Sequence, residues 1–136
     1  MKAIDTNVLA RFFIDDADDA QAIKQRPAAI SAMAGRTFIS VTVLLEFEWL
    51  MRGFYSLPRA DIARVLRALS GIEQVTLEDR SSVLAALDSF DAGLDFADAL
   101  HLAKSSRAGA FTTFDKQLVK RARRLGLALP IELLGA

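Results

Sequence analysis

Apolar positions along this chain fall into short blocks that alternate with longer stretches of helical period. Met1 to Ile4 is a short apolar run that meets Asp5, Thr6 and Asn7 before VLARFF resumes. Those three residues are good helix N-caps, so the opening predicts a strand, a tight turn and a helix. DDADDA opens a second helix reaching about Ala34, with Pro27 expected to kink or split it and Gly35 to stop it. TFIS is β-prone and precedes a long helical pattern from Val41 to about Tyr55, striped by Val43, Leu44, Phe47, Leu50, Met51 and Phe54. Pro58 suits the first turn of the next helix, where Ile62, Val65, Leu66 and Leu69 recur at helical spacing before Gly71. VTL at 75 to 77 predicts a short strand or extended piece, Ser82 to Phe90 a helix broken by Gly93, and Asp95 the cap of a helix from Phe96 to about Arg107. After Gly109, AFTTF reads as a strand, Lys116 to Leu125 as a basic helix and ALPIELL as a last extended segment.

Strands alternating with helices predict a three-layer α/β/α domain with a mostly parallel central sheet. A length of 136 residues fits a single domain, 1–136, that buries roughly two-thirds of its unfolded surface. With 52% hydrophobic residues, and no apolar run near the roughly 20 residues of a membrane span, the chain reads as a globular protein that does not enter membranes. The opening MKAID lacks the apolar stretch of a secretory signal, so a cytoplasmic location is expected.

Candidate chemistry sharpens this picture. Zero cysteines exclude disulfides, thiolate catalysis and Cys-based zinc sites, and a single histidine excludes a His-rich metal centre. The 17 basic and 17 acidic residues cancel, so global charge announces no nucleic acid. Local runs say more: Lys116, Lys120, Arg121, Arg123 and Arg124 crowd one predicted helix, while Asp15, Asp16, Asp18 and Asp19 crowd a turn. The basic run is either a solvated face or a phosphate contact. Asp5, Glu46, Asp98 and Asp115 each lie where an apolar run meets a helix start or helix face. In open α/β sheets ligands gather beyond the carboxyl ends of strands, where Asp5 and Asp115 would emerge. Two carboxylates about 4 Å apart repel by roughly 1 kcal/mol even in water, so a cluster of four asks for a cation. Oxygen-only ligation points to Mg²⁺ or Mn²⁺.

Four segments, IDTNVL, ISVTVLLEFEWL, DFADALHLA and TFDK, occur in that order and cover nearly the whole chain. In them the chain resembles the PIN-domain family, and specifically the toxin ribonucleases of VapBC-type toxin–antitoxin pairs. With 17 acids in 136 residues one matching carboxylate is unremarkable, whereas four in their apolar contexts and in order are specific. The resemblance implies metal-dependent endonucleolytic cleavage of RNA with Mg²⁺, or Mn²⁺ in its place. It assigns the family's acids to Asp5, Glu46, Asp98 and Asp115. Because Mg²⁺ usually keeps several waters and one or two carboxylates, Asp5 and Asp98 are expected to hold the metal directly, and Glu46 and Asp115 to hold water or a second ion. Thr6, Asn7 and Thr113 could orient a carboxylate or a water, or serve ordinary capping and turn chemistry. Asp95, three residues before Asp98, reads as an N-cap that needs no catalytic role, with support of the metal site as the alternative.

Periodicity does not choose between Glu46 and Glu48, which flank opposite edges of one apolar stripe; the family pattern favours Glu46. His101, one turn after Asp98, is an exposed surface group or a neighbour of the site. Trp49, Phe12 and Phe13 are expected in the core, although Arg11 beside the phenylalanine pair also suits an interface. Arg52, Lys116, Lys120, Arg121, Arg123 and Arg124 are the candidates for holding RNA. The resemblance further implies a VapB-like antitoxin that brings a basic side chain to the acids, and a homodimer. A PIN-like binding module, silent in catalysis and docking a basic partner or RNA, is the alternative. The Asp5 segment lacks the D-x-D of haloacid-type phosphatases, and no phosphate-binding G-x-x-x-x-G-K-[ST] loop exists.

Overall fold

A computed structural model describes residues 1–135, which form two compact units, Met1–Arg80 and Ser81–Ala136. The first unit holds β1 (Lys2–Ala3), α1 (Thr6–Phe13), α2 (Ala20–Ala34), β2 (Thr37–Ile39), α3 (Val41–Gly53), α4 (Arg59–Ser70) and β3 (Val75–Leu77). Its sheet runs β1-β2-β3, with both pairings parallel: Lys2 lies opposite Thr37, and Thr37 opposite Val75. Parallel neighbours require crossover connections, which the intervening helices supply. The buried stripe on α1 (Leu9, Ala10) packs beside Ala22, Ala29 and Met33 of α2, and Phe13 meets Phe47 of α3 with ring centroids 6.0 Å apart. Ile39, Leu44, Phe47, Met51, Ile62 and Leu69 are essentially inaccessible and form the core.

Helix α2 is one element with Pro27 inside it, where the sequence predicted a kink or a split. Pro27 is exposed, and the carbonyl of Ile23 that it deprives of a donor belongs to an exposed residue that water can satisfy. Alanines at 20, 22, 28, 29, 32 and 34 supply the helix propensity that carries the chain through it. Gly35 caps the end as predicted, and Pro58 takes the N-cap position of α4, one residue before its first turn.

The second unit contains α5 (Arg80–Asp91, its first residue at the boundary), α6 (Phe96–Lys104), β4 (Phe111–Thr113), α7 (Lys116–Arg124) and β5 (Ile131–Leu133). β4 and β5 pair in parallel, Phe111 opposite Ile131. Phe90 and Phe96 meet edge to face at 5.7 Å across the turn between α5 and α6. That turn depends on Gly93, whose φ of 110° is a conformation other residues rarely adopt. Every predicted strand and helix has its counterpart, and every strand pair is parallel, although the strands form a three-stranded and a two-stranded sheet. Among the described residues no helix is long and apolar enough to cross a membrane.

Candidate active site

In the first unit, β1 delivers Asp5 directly to the start of α1. The carboxylate caps that helix, Oδ1 accepting the Thr6 N–H at 2.7 Å, and it remains exposed. It lines a cleft of ≈ 530 Å³ whose wall also carries Lys2, Ser31 and Arg36. Thr6 is buried, and its Oγ1 has no hydrogen-bond partner. A buried hydroxyl left unpaired costs about 1–3 kcal/mol, which makes it an open donor and acceptor beside Asp5. Asn7 is exposed on the same first turn.

Helix α3 separates the two glutamates that periodicity left equivalent. Glu48 is 1% exposed and receives Arg52 across one helical turn, Nε to Oε2 at 3.0 Å and a second nitrogen to Oε1 at 3.3 Å. Glu46 is exposed on another face of the helix. The acid free to meet a ligand is therefore Glu46. Arg52, a candidate for RNA, has its guanidinium committed to Glu48 while half of its side chain stays accessible. Trp49 departs from its expected place in the core: it is 59% exposed, because on α3 it falls outside the stripe made by Leu44, Phe47 and Met51. Phe12 and Phe13 are half-buried and stack edge to face at 4.9 Å, in keeping with packing.

In the second unit the charges of Asp95 and Asp115 act on Asp98. Asp95 caps α6, its Oδ2 accepting the Asp98 N–H at 3.3 Å, which is the capping role expected of it. Asp115 follows β4 and caps α7, its Oδ1 accepting the Leu118 N–H at 3.1 Å. Its own N–H is held by Thr113 Oγ1 at 3.0 Å, so Thr113 fixes the turn that aims Asp115. Asp98 stands in the first turn of α6, half-buried, and its pKa is raised above the ordinary carboxylate value. Burial is the main cause, followed by the negative charges of Asp95 and Asp115; His101 and Arg121 oppose it. His101 is thus both exposed and an electrostatic neighbour of Asp98. Arg121 is the basic residue of α7 within reach of this acid, while Arg123 bonds the Ile131 carbonyl at 3.1 Å. Lys116, Lys120 and Arg124 are exposed, opposite the buried Leu118, Val119 and Ala122.

The PIN domain family model matches residues 2–124, from β1 through the last residue of α7. The chain belongs to the PIN domain family. No curated protein and no solved structure matches it. PIN domains are in general metal-dependent nucleases, so membership supports nuclease activity with divalent metal ions, on an α/β fold with parallel sheets. Among the described residues no group of three or more acidic or histidine side chains is gathered closely enough to hold a metal ion outright. The donor chemistry nonetheless fits a hard cation, since Mg²⁺ takes one or two carboxylates and completes its shell with water. A cation beside Asp98 would favour the charged form that burial and the charges of Asp95 and Asp115 disfavour, and the unpaired Thr6 hydroxyl is a free hydrogen-bonding group beside Asp5.

Two features escaped the sequence reading. The Glu48–Arg52 pair had a signal, the four-residue spacing of opposite charges on a helix. The electrostatic effect of Arg121 on Asp98 had none, because the two residues lie on different helices and only the fold brings their charges within range.

Proposed function

We propose that this PIN domain is a Mg²⁺-dependent endoribonuclease, with Mn²⁺ able to substitute, acting as the toxin of a type II toxin–antitoxin pair. The observation that carries the reading is the PIN family match over residues 2–124, which spans all four acidic segments. The raised pKa of Asp98, caused first by burial and then by the charges of Asp95 and Asp115, supports it, since a bound cation would favour the charged form. By the resemblance, Asp5 and Asp98 would hold the metal directly, and Glu46 and Asp115 would hold water or a second ion. When bound, a divalent cation supplies Lewis acidity and neutralises charge that builds on the phosphoryl oxygens in the transition state. Lys116, Lys120, Arg121 and Arg124 hold neighbouring phosphates, since phosphate contacts position a nucleic acid without reading its sequence. RNA as substrate, a homodimer and a VapB-like antitoxin follow from the resemblance of the four acidic segments. The antitoxin would bring a basic side chain to the acids and replace the metal's charge with a tethered one.

Cleavage of total RNA by purified protein in Mg²⁺ or Mn²⁺, against EDTA and against Asp5→Ala, tests this. Metal-dependent cleavage lost in the variant is the expected outcome. One observation favours a second reading, a silent PIN-like module docking a basic partner or RNA: Asp5, Asp95 and Asp115 all serve as helix N-caps. Folded, partner-free protein that binds RNA or a basic peptide but cuts nothing in any metal would establish that reading instead.

A further inference from the structure

The exposed face of α3 carries more than an acid. At 100° per residue Thr42, Glu46, Trp49 and Gly53 lie within about 60° of one another around the helix, and all four are exposed. Trp49 and Glu46 are three residues apart, about 4.5 Å along the axis, within the span of one nucleotide. The indole lies over Gly53, where an added Cβ would stand 3.7 Å from Trp49 Cε2, an ordinary van der Waals contact. Its neighbours on this face are a hydroxyl, a carboxylate, a glycine and the part-exposed Leu45 one turn before it. An apolar helix of a partner would find little beyond Trp49 and part of Leu45 to bury there, whereas a single flat base needs only the ring.

We propose that Trp49 is a stacking platform for a nucleobase of single-stranded RNA adjoining the phosphodiester presented to Glu46. This rests on the ribonuclease reading and deepens it, naming an unpaired base as a recognition element of that site. Single-stranded RNA is the form whose bases can be splayed out onto aromatic side chains. The half-accessible Arg52 side chain, three residues beyond Trp49, adds an aliphatic and cationic rim.

Trp49 is the chain's single tryptophan, so its emission reports the platform directly. Full-length protein in EDTA is titrated with a short labelled oligoadenylate and with an abasic oligoribonucleotide of equal length, reading label anisotropy and tryptophan emission together. Oligoadenylate should quench Trp49 in step with binding, and the abasic strand should bind more weakly without quenching. Trp49→Ala should weaken oligoadenylate binding by about tenfold and raise KM more than it lowers kcat, with Trp49→Phe recovering most of the loss. A circular dichroism melt shows whether each variant is folded; loss at this exposed position should leave it unchanged. Binding and cleavage of RNA with silent Trp49 emission, or equal affinity in Trp49→Ala, would overturn the platform and leave the nuclease standing. No binding of any RNA would overturn both. Conversion of a dimer to a monomer by Trp49→Ala, with emission unmoved by RNA, would overturn the platform and make this face a contact between copies of the chain.

Discussion

Glu48 and Asp98 are acids of the same charge in opposite circumstances. Glu48 is buried in α3 and answered in full by Arg52 through two hydrogen bonds one turn away. Asp98 is half-buried at the start of α6 and surrounded by Asp95 and Asp115, with only His101 and Arg121 opposing them. A buried acid that the fold neutralises contributes to structure, while one left short of positive charge is held for something that arrives later. Exposure and helical position alone would not have separated the two.

Removing the charge of each acid should therefore have opposite consequences. Asp98→Asn should lower cleavage by about a thousandfold, on the scale of losing a main electrostatic group, while raising the melting temperature of metal-free protein by about 1–3 °C. A lower melting temperature in calorimetry would mean that Asp98 is structurally satisfied and would collapse the contrast. The pH dependence fixes the sign. A carboxyl whose folded pKa lies above its ordinary value of 3.8 binds its proton more tightly when folded, so its contribution to stability falls as pH rises from 3.8 through the raised folded value. The advantage of Asp98→Asn over the parent should accordingly be absent below that window, grow across it and hold steady above it. Added Mg²⁺ should shrink it.

Breaking the satisfied pair should act on stability. Arg52→Ala leaves Glu48 buried and unanswered and should cost about 2 kcal/mol in urea unfolding, moderated by the exposure of the arginine; Arg52→Ala with Glu48→Gln should recover much of it. Equal losses in the single and double variants would show that the pair is not coupled. Thr113→Val removes the acceptor for the Asp115 N–H and should cost about 1 kcal/mol together with a severalfold loss of cleavage. The smallest effect belongs to Asp95→Asn. Asparagine caps as well as aspartate, so stability should change by less than about 0.5 kcal/mol and cleavage by less than about tenfold. A loss matching that of Asp98→Asn would make Asp95 a ligand rather than a cap.

Much of this was legible in the chain. N-cap residues marked α1 and α6, because a carboxylate accepting a backbone N–H is a local interaction set within three residues. Of the two outcomes expected at Pro27 the split did not occur, because an alanine-rich helix carries the chain through a proline turned to solvent. Trp49 was assigned to the core by its chemistry, whereas the helix face it occupies puts it outside.

By itself the sequence determined the order and kind of nearly every element, the caps of α1 and α6 and the four acidic segments through which the chain resembles its family, since all of these depend on neighbours within a few residues. The four-residue spacing of Glu48 and Arg52 likewise signals their pairing. Only the tertiary structure decided that Glu48 is buried while Glu46 is exposed, that Trp49 stays outside the core and that Asp98 feels the charge of the distant Asp115. Those outcomes depend on burial and on charges brought together from distant positions, which local spacing does not encode.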